Sequence, residues 1–380
     1  MKRTCVVFAL VLLSLFSQTL ISNAQLDKIV IPAGTPEDVA LQAITSEPDA
    51  QKKLAMYQDF LEKFSANPAA VAYGNWQISQ YYQNAGDLAK ALSYGDKALA
   101  GSPRNLDILV SQTNIAQLMK DRAKVLDYAV KGGEAYNTAG KRPKPENMSD
   151  QEFAAAVADS KESAKGSYEF LEVAAYNSIT EEKDAKTRMT YIERFTPAFP
   201  GSRFEEPVTQ YAMMTLGELN DSARMFRYGE KALAANPNSM TTLLLLANAY
   251  ADDARPGSVA KAVTYSEKVL ELAKADAPDA DKSRKLSAGV AHSTLGYAYM
   301  KQDKTASAIA ELKSASGLLK GQDEATYSTA LYRLGYAYAK LNKLSEAREV
   351  LTEASNTPGP AQQLSRDLLL KVNTARSKGK

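Results

Sequence analysis

The sequence is poor in the residues on which most catalytic and metal-binding sites depend. It has one cysteine, one histidine and one tryptophan among 380 residues. Cys5 lies at the amino terminus, so the rest of the chain has no thiol for a disulfide or a cysteine-ligated metal. With His292 as the sole histidine, there is no histidine pair for zinc and a single candidate base for a Ser-His-Asp triad. We therefore predict that the protein is not an enzyme and uses no cofactor and no metal.

A large excess of charge of either sign is also missing. Lys and Arg number 46, and Asp and Glu number 44. If an amino-terminal segment with Lys2 and Arg3 is removed, 44 residues of each sign remain. A balanced chain gives no reason to expect nucleic acid or an anionic membrane as the main partner.

The amino terminus has the features of a secretory signal peptide. Lys2 and Arg3 precede an apolar run over residues 6–16, and the small residue Ala24 offers a cleavage site before Gln25. The apolar run is short for a membrane-spanning helix. We expect residues 1–24 to be removed and the mature chain to be exported, most simply to a periplasm, without membrane insertion after cleavage. Secretion, or anchoring by an uncleaved amino-terminal segment, is the alternative.

A seven-residue segment is repeated almost unchanged near the carboxyl terminus. Leu295–Lys301 returns as Leu334–Lys340 with six of seven residues identical, and an alanine, Ala308 or Ala347, follows each copy at the same distance. From each alanine the small and apolar residues continue at i, i+4 and i+7, which is typical of one face of an amphipathic helix. These features resemble the tetratricopeptide repeat, whose two helices of about 34 residues carry Leu-Gly-x-x-Tyr in the first and alanine at two small positions in the second.

The resemblance implies an all-α fold, a right-handed α-solenoid of antiparallel helix pairs. We expect helical repeats over residues 25–140, a proline-rich loop at 141–149, further repeats over 150–359, and a capping helix with a tail over 360–380. Seven repeats are predicted to begin near Ala72, Leu106, Glu169, Glu206, Met240, Gly289 and Ser328.

The loop at 141–149 and the segment after it carry local signals. Ser149 and Glu152 fit a capping box that opens a long alanine-rich helix, and Gly166 is a candidate break in that helix. The loop is either a hinge between two subarrays or a tolerated surface loop. We favour the surface loop because insertions in repeat proteins usually map to loops.

Part of the array is present twice. Residues 94–100 resemble residues 228–234 at an offset of 134, and Asn114 and Asn248 are separated by the same offset. We interpret this as the duplication of a block of about four repeats.

In tetratricopeptide arrays the first helix of each repeat lines a concave groove, with the ninth position of the repeat among those that point into it. In this sequence asparagine occupies three of the ninth positions, Asn114, Asn177 and Asn248. Side-chain amides both donate and accept hydrogen bonds, so they suit the backbone of an extended peptide. The alternative is that a solvated groove simply prefers polar residues. We favour peptide binding because asparagine is a poor helix former and its recurrence needs a cause.

The last two repeats carry a different set of groove residues, which are aromatic and basic and suit an acidic or aromatic segment. We expect Arg333 to be an exposed charge within this set. A family variant that clamps carboxyl-terminal carboxylates is not supported, since the sequence matches two of its five positions, Asn248 and Arg333. The predicted patch consists of Tyr297, Met300, Lys301, Tyr332, Arg333, Tyr336 and Lys340.

Two further residues are assigned from their place in the repeat. His292 lies three residues before Leu295, where the resemblance implies a large core side chain, so we predict a packed core histidine and not a general base. Gly296 occupies the small position where the two helices of a repeat meet. We expect Gly296→Ala to have little effect.

The sequence as a whole favours a noncatalytic exported scaffold that binds a protein or an extended peptide in its groove. One alternative is a structural protein that self-associates as a homo-oligomer in envelope assemblies. Another is an enzyme built on a helical toroid, which the open stack implied by the repeat period disfavours.

Overall fold

A computed structural model describes residue 26, residues 28–141 and residues 143–377. The predicted signal peptide at 1–24 lies outside the described residues. Within them the chain is helical and contains no β-strand, as the repeat pattern predicts, with one short 3₁₀ helix at Ala139–Lys141. The helices are α1 Pro36–Ser46, α2 Ala50–Lys63, α3 Pro68–Asn84, α4 Leu88–Gly101, α5 Leu106–Leu118, α6 Arg122–Asn137, α7 Asp150–Glu181, α8 Ala185–Ala198, α9 Glu205–Glu218, α10 Ser222–Ala235, α11 Met240–Asp252, α12 Ser258–Ala273, α13 Lys282–Lys301, α14 Thr305–Leu319, α15 Glu324–Lys340, α16 Leu344–Asn356 and α17 Gln362–Ser377.

The start of α7 confirms the predicted capping box. The Ser149 hydroxyl accepts a hydrogen bond from the Glu152 amide at 3.2 Å, and the Glu152 carboxylate accepts one from the Ser149 amide at 2.8 Å. The predicted break at Gly166 is wrong, because α7 runs unbroken to Glu181. An interior glycine costs a helix only about 1 kcal/mol, and α7 packs along α6 and buries Leu171.

The first of two compact units ends at Val208. In it α3 packs on α4, α5 on α6 and α7 on α8, and α5 also contacts α7. This is the pairing expected for helical repeats. These helices carry the largest fully buried side chains of the unit, which include Ile78, Ile108, Leu126, Leu171, Ile192 and Phe195.

The second unit begins at Thr209. Here α11 pairs with α12, α13 with α14 and α15 with α16. The first helices of successive pairs also contact each other, α11 with α13 and α13 with α15, and α17 continues this row against α15. A row of first helices is the surface that the repeat pattern predicts as a groove.

The small positions of the repeats are places of close helix approach. A Cβ atom added to Gly296 would lie 2.6 Å from Cγ of Leu312 and 3.1 Å from the carbonyl oxygen of Ala308. Leu312 is fully buried and the carbonyl is held in its helix. Neither can move freely, so the expectation that Gly296→Ala does little is wrong. A Cβ atom added to Gly335 would likewise lie 2.5 Å from Cγ of Leu351.

Candidate functional site

The predicted aromatic and basic patch surrounds one cavity in the second unit. The cavity has a volume of about 620 Å³ and is lined by residues of α11, α13, α15 and α17. We call it the tyrosine groove. All seven residues of the patch line it: Tyr297, Met300, Lys301, Tyr332, Arg333, Tyr336 and Lys340.

Arg333 is not the exposed charge that the sequence suggests. Its side chain is half-buried, and Nη1 donates hydrogen bonds to the carbonyl and the hydroxyl of Ser293 at 3.3 and 3.2 Å. The guanidinium carbon lies 4.4 Å from the centre of the Tyr297 ring. Burial lowers the pKa of Arg333, and the Asp252 carboxylate opposes this only in part. Among the described residues no carboxylate lies within ion-pair distance of this cation.

The two lysines of the groove differ in how they are paired. The Lys340 ammonium lies 2.7 Å from a carboxylate oxygen of Asp303, which raises the pKa of Lys340 and partly neutralises its charge. Lys301 is exposed and its ammonium lies 5.1 Å from the centre of the Tyr297 ring, without an ion pair to any residue that the structure describes. Lys301 is therefore the groove lysine whose charge is available to a ligand.

The tyrosines present apolar surface to the cavity. Tyr336 is 45% exposed. Tyr332 is half-buried, and its pKa is raised by burial first and then by its neighbours Tyr336 and Tyr297. Tyr336 and Tyr297 thus both lie near Tyr332. Aromatic surface beside cations suits a ligand with both apolar and acidic groups.

Sequence reasoning missed several residues that line the groove. Asp252, at the end of α11, occupies the thirteenth position of its repeat, the same position as Lys301 and Lys340. That shared position is the signal that could have identified it. Thr329 lies on α15, at the second position of its repeat. The other missed residues come from the link before α17 and from α17 itself, outside any repeat: Pro360, Ala361 and Leu364.

The three predicted asparagines are not all near the tyrosine groove. Asn114 on α5 and Asn177 on α7 belong to the first unit, where Asn177 is exposed and Asn114 half-buried. Asn248 on α11 belongs to the second unit but does not line the groove. The oxygen of its side-chain amide accepts a hydrogen bond from the Thr294 hydroxyl. The role of these amides in backbone binding stays a prediction.

His292 is not packed in the core. It is half-buried, and Nδ1 lies 2.6 Å from a carboxylate oxygen of Glu311 on α14. The ring borders a second cavity, of about 570 Å³, which small residues such as Ala288 and Gly317 leave open. The predicted core position is therefore wrong, because the neighbours of His292 are too small to cover it.

Two kinds of feature are missing from the described part of the chain. It contains no group of three His, Cys, Asp or Glu side chains placed to hold a metal ion. In the same residues, no helix combines the length and the apolar character needed to cross a membrane.

A comparison with known protein families agrees with the last of the predicted repeats. The tetratricopeptide repeat model matches residues 328–356, which are α15 and α16, and no curated protein matches the chain. A thermophilic tetratricopeptide repeat protein of Thermus thermophilus is 16% identical and has a TM-score of 0.39, with 50% of this chain and 91% of that chain covered. For a tetratricopeptide repeat protein of Parabacteroides merdae the identity is 12%, the TM-score 0.34 and the coverage 88% and 98%. The carboxyl-terminal part of such a protein from Cytophaga hutchinsonii is 14% identical and has a TM-score of 0.32, with 74% of this chain and 93% of that chain covered. The family model thus identifies one tetratricopeptide repeat in this chain, within α15 and α16.

Proposed function

We propose that the mature chain is an exported, noncatalytic scaffold that holds a segment of another protein in the tyrosine groove. The observation that carries this proposal is Arg333, a half-buried cation at the groove without a carboxylate at ion-pair distance among the described residues. Taking a charge partly out of water without an ion-pair partner costs free energy. A carboxylate on a bound segment would recover that cost.

The surroundings of Arg333 favour a segment that is acidic and apolar or aromatic. Lys301 adds a second positive charge that no described carboxylate neutralises. Tyr336 offers exposed aromatic surface in the same cavity. Buried aromatic and arginine side chains usually carry most of the binding energy in protein interfaces.

The first test identifies the partner. The chain from Gln25 is used to capture proteins from an envelope extract, and the bound segment is located by crosslinking and mass spectrometry. Its affinity is then measured by calorimetry for the parent chain and for Arg333→Gln and Tyr336→Ala. We expect both substitutions to weaken binding about tenfold or more, while Lys304→Gln, at an exposed lysine outside the groove, has no effect.

A different outcome would favour the structural alternative. If the groove variants bind normally and substitutions on the second helices of the repeats weaken binding, the groove is not the site. A molar mass that rises with protein concentration, measured by light scattering without a ligand, would then support self-association.

Export is tested separately by the intact mass of the protein purified from its native source. We expect a chain that begins at Gln25 and has lost Cys5 with the signal peptide. A mass that includes residues 1–24 would show an uncleaved anchor and would contradict release into the periplasm.

A further inference from the structure

The helix α17 does more than close the end of the array. We infer that Leu364 on α17 and Tyr336 on α15 form a subsite for one large apolar side chain of the bound segment, in the same cavity as a carboxylate held by Arg333 and Lys301. This inference rests on the proposed function and adds to it the kind of segment that is bound.

Two exposed apolar side chains from different helices lie in this one cavity. Nine large hydrophobic residues of the described chain are exposed, and two of them, Tyr336 at 45% and Leu364 at 52%, line the tyrosine groove from different helices. Single exposed apolar residues need no explanation, but two that face one concave site indicate a ligand. Leu370, also on α17, is 65% exposed and does not line the groove. It provides a matched control.

The wall formed by α17 is held firmly in place. Ser365 and Val372 of α17 are buried, as is Ala361 just before the helix, and Val372 joins the core formed by α13 to α16. A Cβ atom at Gly359 would lie 2.8 Å from Cβ of Ser328. The link before α17 therefore lies directly on α15, so Leu364 belongs to a fixed wall and not to a loose tail.

The charges of the groove identify the other half of the ligand. Of the three cations that line the groove, Arg333 and Lys301 have no carboxylate partner among the described residues, while Lys340 is paired with Asp303. Asp252 is the single acidic residue that lines the cavity. The lining therefore has an excess of positive charge. A carboxylate next to a large apolar residue complements both the cations and the apolar wall. The carboxylate can belong to an Asp or Glu side chain or to a chain terminus.

The test uses the full mature chain and an array of immobilised decapeptides. The peptides are random except for a central pair, which is Glu-Leu, Gln-Leu, Glu-Ser or Gln-Ser, and all carboxyl termini are amidated. We expect Glu-Leu to bind about tenfold better than Gln-Leu or Glu-Ser. A second array with the pair Gln-Leu at a free carboxyl terminus distinguishes the source of the carboxylate. Recovery of binding there assigns the site to a terminus.

Variants assign each preference to its residue. Leu364→Ser should remove most of the preference for Leu over Ser and leave the preference for Glu over Gln. Leu370→Ser should change neither, which also controls for the stability of α17. Lys301→Gln should reduce the preference for Glu, whereas Lys304→Gln should not. In Leu364→Phe, which keeps an apolar wall but enlarges it, the preference should move toward smaller side chains.

The possible failures are distinguishable. If Tyr336→Ala abolishes binding but Leu364→Ser leaves the preference for Leu unchanged, the inference about α17 is overturned and the proposed function stands. If all four pairs bind equally to a chain that still depends on Tyr336, the inference is again wrong. If neither groove variant affects binding, the proposed function fails with it.

Discussion

Residues 94–100 and 228–234, which resemble each other at an offset of 134, each carry a glycine at a close approach of helices. We call the contacts around the first segment the first copy and those around the second segment the second copy. In the first copy a Cβ atom at Gly95 would lie 1.9 Å from the amide oxygen of Gln112, and in the second a Cβ atom at Gly229 would lie 2.7 Å from Cδ2 of Leu246. The residues correspond at the offset of 134. The glycine keeps the helices close in both copies, but the side chain that fills the contact is polar in one and apolar in the other.

The polar groups around the filling residue also differ between the two copies. In the first copy the Gln112 amide nitrogen donates to the Leu92 carbonyl at 2.9 Å and to the Asp96 carboxylate at 3.1 Å, and the Tyr128 hydroxyl donates to Asp96 at 2.6 Å. The buried amide oxygen of Gln112 has no hydrogen-bond partner within the described residues. A buried unsatisfied acceptor costs about 1 to 3 kcal/mol.

In the second copy the acidic residue is satisfied from elsewhere. Glu230 corresponds to Asp96, and it accepts hydrogen bonds from the Tyr250 hydroxyl at 2.9 Å and from the Lys261 ammonium at 2.7 Å. Leu246 is fully buried and has no polar atom that needs a hydrogen bond. The comparison teaches that the glycine and the helix approach are shared, while the polar network can be exchanged for apolar packing.

The largest loss of stability is expected when the apolar filling residue of the second copy is replaced by the glutamine of the first. Leu246→Gln would bury an amide where Glu230 is already occupied by Lys261 and Tyr250. We expect it to reduce the free energy of unfolding of the surrounding helices by about 3 kcal/mol. Hydrogen exchange of α10, α11 and α12 measures this. Protection equal to that of the parent chain would show that the two fillings are interchangeable.

Alanine at either glycine gives the next largest effect. The added Cβ atom would overlap Gln112 in Gly95→Ala and Leu246 in Gly229→Ala, so each should destabilise its own unit by about 1 to 3 kcal/mol. Gly166→Ala is the control, since its Cβ atom would meet nothing within 4 Å. It should stabilise α7 by about 0.5 to 1 kcal/mol. Urea unfolding compares the three variants, and equal stability for all of them would remove the steric role of the duplicated glycines.

The opposite substitution, apolar for polar in the first copy, should maintain or increase stability. Gln112→Leu removes the unsatisfied amide oxygen and leaves the hydrogen bond between Tyr128 and Asp96 in place. We expect the melting temperature to stay the same or to rise, with a gain of up to about 1 kcal/mol. A clear loss of stability, measured by thermal unfolding, would mean that the network in the first copy is worth more than the apolar packing of the second.

Helices and groove residues were predicted correctly from the sequence where the repeats are regular. The matched heptads at Leu295–Lys301 and Leu334–Lys340 predict the helices that carry the tyrosine groove, and the residues assigned to the groove from them all line it. Leu364 could not be found in this way because α17 is outside the repeat period. The burial of Arg333 could not be found either, since it depends on Ser293, a residue 40 positions away on another helix.

Packing between neighbouring helices accounts for another error. His292 has the sequence position of a core residue, but its neighbours at Ala288 and Gly317 leave the ring beside a cavity. Which side chain covers a given position depends on the size of residues from adjacent helices. A pattern within one repeat does not contain that information.

The smallest expected effect concerns the acid of the second copy. Burial alone would raise the pKa of Glu230, but the hydrogen bonds from Lys261 and Tyr250 outweigh burial, and the pKa is held below its usual value. A lowered carboxyl pKa contributes stability that is present above the unfolded-state pKa and is lost as the pH falls through the folded-state pKa. The second unit should therefore lose stability as the solution is acidified below about pH 4.3, the usual pKa of glutamate.

Glu230→Gln isolates this contribution. Because the Glu230 side chain is 37% exposed, solvent screens its pairing with Lys261, and we expect a difference of a few tenths of a kcal/mol at neutral pH. Unfolding measured at about pH 3 and about pH 7 should show a smaller pH dependence in the variant than in the parent chain. An unchanged pH dependence would mean that the ionisation of Glu230 does not contribute to the stability of the second unit.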